Sequence, residues 1–344
     1  MIKRLILVGL LAALVMGAII GYPLYKTYFL PNVPSSLEKQ EVLLSTGWNF
    51  DQVLQHLHQE GFVQDSATFR SAAKRMNYIK DNMRSGRFLI QPGWTNVDLI
   101  RHLRGGKQAP VDVVLTTERM IENVAAKAAR FIEPDSVTLL TAFRKPENLE
   151  KFGFTEETLM AMFIPNTYEF FWNTTPEKFL ERMHKEYQKF WETNDRMAKA
   201  EAQDLTPAEV YTLASIVEKE TLQNAEKRRM AGVYLNRLEV NMKLQADPTS
   251  VFATKDFTTK QVTDYHTNFD SPYNTYRYAG LPPGPIAMAS ISSIDAVLNR
   301  EDHKYYYFCA KGDGSGFHNF AKNLTAHNQN ARIYRANLRK RGLR

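Results

Sequence analysis

Two carboxylates stand two residues apart in the run Val210-Tyr211-Thr212-Leu213-Ala214-Ser215-Ile216-Val217-Glu218-Lys219-Glu220-Thr221. A carboxyl group that loses hydration on charging keeps its proton to higher pH, which is what a general acid needs near neutrality. Thr206-Pro207-Ala208-Glu209 reads as a capping box with proline at the first helical position, so a helix is expected to follow. Val210, Leu213, Ala214 and Val217 then fall at i, i+3, i+4 and i+7 and make a core face. Helical spacing sets Glu218 in line with Tyr211 and beside Ala214, on the margin of that face. Glu220 is turned about 200° from it and is expected to be solvated. On this reading Glu218 is the carboxyl with the raised pKa. The ordinary alternative is a surface glutamate paired with a lysine.

Further blocks follow in the C-terminal half: Leu244-Gln245-Ala246-Asp247-Pro248-Thr249, Tyr273-Asn274-Thr275-Tyr276 and Gly280-Leu281-Pro282-Pro283-Gly284-Pro285-Ile286. The last is too rich in proline and glycine for strand or helix and must be a shaped loop. With Ser215 to Thr221, these blocks in this order resemble the endolytic murein transglycosylases of the MltG/YceG-like family, over nearly the whole chain. Two positions depart from the family pattern, Ala289 where proline is expected and Ala246 where serine or threonine is commoner. Neither removes a chemical group the reaction needs.

The resemblance implies a lytic transglycosylase with Glu218 as its acid and base. The neutral carboxyl protonates the glycosidic oxygen between N-acetylmuramic acid and N-acetylglucosamine. The carboxylate then takes the proton of the muramyl C6 hydroxyl, which closes on C1 to leave a 1,6-anhydro end. The nucleophile belongs to the sugar, so one carboxylate serves both steps, unlike the two-carboxylate scheme of ordinary glycosidases. No metal or cofactor is implied. Gln245, Asn274, Asn323 and Asn328 are expected to hydrogen-bond the sugar, and Tyr276 to stack on it or to orient Glu218. Asp247 either stabilises positive charge or caps the turn at Asp-Pro, the capping role being favoured. The loop Gly280 to Ile286 is expected to wall the glycan cleft. The resemblance also implies cleavage within nascent strands that ends their elongation, and penicillin-binding synthases as partners.

The elements that carry these residues form an α+β chain. Leu5 to Tyr25 is uncharged and reaches about 31 Å as a helix, enough for a hydrocarbon core of roughly 30 Å. Lys3 and Arg4 precede it, which places the N-terminus in the cytoplasm and the bulk of the chain in the periplasm. A cleaved signal peptide is the alternative, but the apolar run is long and no A-x-A site ends it. The expected order is a tip at 1–4, a single inner-membrane helix at 5–25, a linker at 26–39, a LysM-like murein-binding region at 40–135 and a mixed α/β catalytic domain at 136–344. Within 40–135 a strand and a Gly47-Trp48 helix start recur 46 residues later as Phe88-Leu89-Ile90 and Gly93-Trp94, with His56 and His102 in register. The tryptophans are staples at helix starts or platforms for a sugar ring.

Composition narrows the function. The 344 residues include 20 Phe, 16 Tyr and 4 Trp, enough surface to bury a core, which excludes a disordered chain. One cysteine, Cys309, excludes an internal disulfide framework and cysteine-rich metal sites. A net charge of +7 does not by itself imply nucleic acid, and no nucleic-acid partner is expected. No Walker A run, dinucleotide fingerprint, H-E-x-x-H or His/carboxylate triplet occurs, and His318 and His327 read as partnered structural residues. Arg335 to Arg344 holds five basic residues, read as a solvated helix end ahead of a lipid or murein contact. Two rival functions remain: a non-catalytic murein-binding scaffold, and a hydrolase using Asp247 or another carboxylate as a second catalytic group.

Overall fold

The computed structural model describes residues 2–343. Met1, Arg344 and the side chains of residues 2–5 and Ala13 lie outside the described residues, and so do the expected tip at 1–4 and the last residue of the basic tail. The chain divides into two compact units. One is Met1–Asp112 with Phe131–Glu133 and Glu169–Thr174; the other is Val113–Arg130, Pro134–Tyr168 and Thr175–Arg344.

The smaller unit opens with helix α1 (Ile2–Phe29). Its stretch Ile6–Phe29 is, among the described residues, the one helix long and apolar enough to cross a membrane. Leu7, Leu10, Leu11 and Leu14 face outward, Leu7 at 69% and Leu14 at 71% exposure. The segment 26–39, expected as a linker, is docked at its start. Thr27, Asn32 and Val33 are buried. Asn32 Nδ2 donates to Asn96 Oδ1 at 2.6 Å and to the Asp65 carbonyl at 3.0 Å, and Asn96 Nδ2 donates to the Thr27 carbonyl at 2.9 Å. Buried amides need such partners, so these residues cannot be a free tether.

Strand β1 (Glu41–Leu44), helices α2 (Phe50–Gln59) and α3 (Ser66–Arg75), strand β2 (Gly86–Leu89) and helix α4 (Asn96–Gly105) follow. β1 and β2 pair antiparallel with Val42 opposite Phe88. Alternate strand residues Val42, Leu44 and Phe88 meet Leu57 and Phe69 from the helices in one core. Asn49 and Thr95 cap α2 and α4 with matching capping boxes. Trp48 meets His56 at 5.0 Å and Trp94 meets His102 at 4.9 Å between ring centroids. Both tryptophans are partly buried against the core, and each ties the approach to its helix to a histidine of that helix's last turn.

β3 (Pro110–Leu115) pairs with β4 (Asn166–Phe171). In the larger unit, α5 (Ile121–Ala128), α6 (Ser136–Phe143) and α7 (Pro146–Phe152) precede β4; α8 (Pro176–Glu192) and α9 (Arg196–Glu201) come after it. They lead to α10 (Pro207–Glu220), α11 (Asn224–Glu239), α12 (Asp247–Thr254), α13 (Asp264–Asn268) and α14 (Ile291–Leu298). Antiparallel β5 (Tyr307–Ala310) and β6 (His318–Ala321), then α15 (Leu324–Lys340), complete the mixed α/β unit. α10 is its central helix, packed against α11, α12 and α14. All eight residues from Val210 to Val217 are buried, so the single core face expected for this helix is replaced by burial all round. The loop Gly280 to Ile286 contributes to that burial. Ser215 Oγ accepts the Ile286 N–H at 3.0 Å, and Tyr211 Oη accepts the Ala289 N–H at 3.2 Å.

Candidate active site

Burial all round α10 changes what its last turn faces. Glu218 points into a polar pocket made by α11 and the start of α14. Its Oε2 accepts from Ser290 Oγ and Ser293 Oγ at 2.5 Å each and from Lys227 Nζ at 3.0 Å. Lys227 is 5% exposed and also donates to Ser292 Oγ at 3.0 Å. Burial alone would raise the Glu218 pKa. Hydrogen bonds from Ser290, Ser293 and Lys227, with the Lys227 charge, outweigh it and hold the carboxyl below its ordinary range. The expected apolar margin and raised pKa are therefore absent at Glu218.

Glu220 was expected in solvent and is found in a cavity of about 320 Å³ with Gln245, Asp247 and Tyr276. Its burial raises the carboxyl pKa to about 7; the hydrogen bond from Tyr234 opposes this, the Asp247 charge adds to it, and Arg237 opposes it. Tyr234 Oη donates to Glu220 Oε1 at 2.8 Å and fixes the carboxyl from α11. Arg237 is spent on the carbonyls of Tyr306, Lys243 and Leu244, so it lends charge without an ion pair to Glu220.

α12 and the turn 273–276 hold the opposite wall. Ala246 N–H donates to Thr275 Oγ1 at 3.0 Å, Gln245 N–H donates to the Thr275 carbonyl at 3.1 Å, and the Thr249 and Thr275 hydroxyls lie 2.8 Å apart. Gln245 takes a left-handed φ of 48° there, a strain that glutamine adopts only where neighbours impose it. Asp247 does not cap α12: the N-cap is Ala246, and Asp247 Oδ1 accepts from Tyr276 Oη at 2.5 Å. Tyr276 thus orients Asp247, where orientation of Glu218 was one of its two expected roles.

The other expected sugar ligands lie elsewhere. Asn274 is fully buried; its Nδ2 donates to the carbonyls of His266, Thr267 and Phe269, and its Oδ1 accepts the Tyr276 N–H. No capacity is left for a sugar, and its work is to shape the turn. Asn323 caps α15 through the Ala326 N–H at 2.9 Å, and Asn328 is exposed on the same helix. Neither lines the cavity; Leu324 and His327 from that turn do, with Tyr307 and Phe308 from β5. His318 has its expected partner, Glu226, at 2.9 Å. His327 stacks on Tyr307 at 5.3 Å, and its Nδ1 has no hydrogen-bond partner. Gly280 to Ile286 was expected to wall the glycan cleft; it packs on α10, and Pro285 lines a second cavity while none of its residues lines the Glu220 cavity. The signal for Glu220 was present in the sequence: Val210 to Val217 carries no charged residue on any face.

A model of the YceG-like family matches residues 42–333. An endolytic murein transglycosylase of Streptococcus pneumoniae is 26% identical over 360 residues, covering 96% of this chain. The chain spans 64% of that relative's length. An endolytic murein transglycosylase of Bacillus subtilis is 36% identical over 175 residues, 50% of this chain and 46% of the relative. The crystal structure of a yceG-like protein from Listeria monocytogenes superposes with a TM-score of 0.57 at 25% identity, over 86% of this chain and 99% of that one. With a family model extending from β1 into α15, the chain belongs to the YceG-like family.

Proposed function

We propose that this protein is a lytic transglycosylase of murein and that Glu220 is its acid and base. The observation that carries this is a carboxyl with a pKa near 7 in a cavity shared with Gln245, Asp247 and Tyr276. The names of the streptococcal and bacillar relatives support the substrate and the reaction. Glu220 donates its proton to the glycosidic oxygen, the muramyl C1–O bond breaks, and its electron pair leaves with the N-acetylglucosamine 4-oxygen. Positive charge develops at C1 and the ring oxygen, opposite the Asp247 carboxylate held by Tyr276. The muramyl C6 oxygen then bonds to C1 and gives its proton to Glu220, which restores the acid. Gln245 supplies a free carboxamide for N-acetyl or hydroxyl groups, and Tyr307 and Phe308 supply apolar faces. Glu218, committed to Lys227 and two serines, acts as the buried anchor of α10, α11 and α14.

The same reading gives the rest of the chain its roles. α1 anchors the protein in the inner membrane with the catalytic unit in the periplasm. The strand–helix–helix–strand unit β1 to β2 is LysM-like and holds glycan. Cleavage within nascent strands ends their elongation beside penicillin-binding synthases. A second reading has one supporting observation: Asp247 and Glu220 line one cavity, as a two-carboxylate hydrolase requires.

Mass analysis of products from purified glycan strands tests both. Wild type is expected to release 1,6-anhydro ends, and Glu220→Gln to lose them by about 10²–10⁴-fold, the range for general acid–base catalysis. Glu218→Gln, counted per folded molecule, is expected to retain at least about a tenth of wild-type release, well above that loss. Reducing ends alone would establish the hydrolase. Murein binding without release would establish the scaffold, and loss confined to Glu218→Gln would return the acid role to Glu218.

A further inference from the structure

The larger unit holds a second cavity of about 240 Å³ that the cleavage chemistry does not use. Its charged walls are Arg119, Arg144, Lys255, Glu156 and Glu157. Arg144 is already committed, 2.6 Å from Glu122 and 2.9 Å from Glu156. Arg119 and Lys255 are not. The Arg119 guanidinium rests 4.8 Å from the centre of the Phe257 ring, and the Lys255 ammonium 3.5 Å from that of Phe252 with Met120 Sδ at 3.8 Å. Among the described residues neither forms an ion pair; Glu122, the carboxylate acting on Lys255, is bonded to Arg144. Lys219, next to Glu220, has its pKa depressed chiefly by burial, the Arg119 charge adding to this and the Glu218 and Glu118 charges opposing it. Cations resting on aromatic faces with no oxygen acceptor are poised to bind an anion through charge-assisted hydrogen bonds. Glu157, opposite, keeps its carboxylate ionised through Thr155 and offers the complementary pole to an amine.

The two cavities share their supports. α12 places Asp247 in the Glu220 cavity at one end and Phe252 in the second cavity near the other, with Lys255 just past it. The turn 273–276 sends Tyr276 to the first and Tyr273 to the second. Eight residues at 1.5 Å rise separate Asp247 from Lys255, about 12 Å. A sugar polymer cleaved at Glu220 therefore brings a side branch within reach of Arg119 and Lys255. Murein's branches are peptides ending in carboxylates and carrying amines.

We propose that this second cavity is a subsite for the peptide stem of the murein strand, with Arg119 and Lys255 binding a stem carboxylate. The proposal rests on murein being the substrate. The test is titration calorimetry of the full chain in detergent against a disaccharide–peptide fragment of murein and the same disaccharide without peptide. The peptide-bearing fragment is expected to bind at least tenfold tighter. In Arg119→Gln and in Lys255→Gln that ratio is expected to fall toward one, with melting temperature reporting the fold. Lys255 is exposed, so its variant is expected to fold even if Arg119→Gln does not. A wild-type ratio near one, variants that weaken both ligands equally, or inorganic phosphate displacing the peptide fragment at equal concentration would each overturn the subsite. The titration needs no turnover, so absence of anhydro products overturns the transglycosylase reading separately.

Discussion

At Glu220 the proton is retained because the carboxyl is buried beside another carboxylate and receives one hydrogen bond, whereas Glu218 has three donors on one oxygen, one of them the Lys227 cation. The consequences for stability have opposite signs. A Glu220 pKa raised from 4.5 to about 7 means that the folded state binds more protons than the unfolded chain between those values. Stability therefore falls as pH rises through that window. Glu220→Gln mimics the protonated form, so it is expected to match wild type in unfolding free energy near pH 4 and to exceed it at pH 8 by about 1–3 kcal/mol. Glu218 behaves conversely. Its lowered pKa contributes stability above the ordinary glutamate value that is lost as pH falls through the folded-state value. Glu218→Gln leaves Lys227 buried without its counter-charge and is expected to cost about 2–4 kcal/mol at pH 7, the gap to wild type closing in acid. Denaturant midpoints across pH check both. The activity of wild type is expected to fall above about pH 7 as Glu220 loses the proton it must donate.

At the scale of elements, the wall of the Glu220 cavity depends on buried side chains that do not line it. Asn274 donates to three carbonyls, of which that of His266 also accepts the Phe269 N–H, so Asn274→Ala strips this donor from the Thr267 and Phe269 carbonyls and is expected to cost about 2–4 kcal/mol. Activity is expected to fall further than stability because Tyr276 and Asp247 lose their setting. Gly284 is required by close approach: a Cβ there would lie 2.0 Å from the Glu157 carbonyl oxygen. Backbone cannot yield as a flexible side chain does, so Gly284→Ala is expected to destabilise by about 3 kcal/mol or more. Chemical denaturation of each variant, with product release counted per folded molecule, checks these expectations. The loop Gly280 to Ile286 thus both seals α10 and, through Pro285, lines the second cavity.

For the whole molecule, the proposed function gives attachment to the smaller unit and chemistry to the larger one. Among the described side chains of α1, those from Ile6 to Ile20 include many exposed apolar ones, Leu11 and Leu14 among them. Two arginines at these positions are each expected to cost about 2.5–3.5 kcal/mol in a bilayer centre. Leu11→Arg with Leu14→Arg is expected to shift the protein from the carbonate-resistant membrane fraction to the soluble one, while purified protein keeps its activity on isolated strands.

The chain's own pattern determined the helix of Pro207 to Glu220, the strand–helix echo around Gly47-Trp48 and Gly93-Trp94, and the family motifs, because caps, periodicity and turn residues act over a few positions. It also brought Gln245, Asp247 and Tyr276 forward as chemistry-bearing residues. Which carboxyl of the pair keeps its proton was decided only by tertiary structure. Lys227, Ser290 and Ser293 reach Glu218 from α11 and from the start of α14, and Tyr234 and Asp247 reach Glu220 from α11 and α12. A pKa is set by the charges and donors that surround a group in space, and these lie up to 75 residues away along the chain.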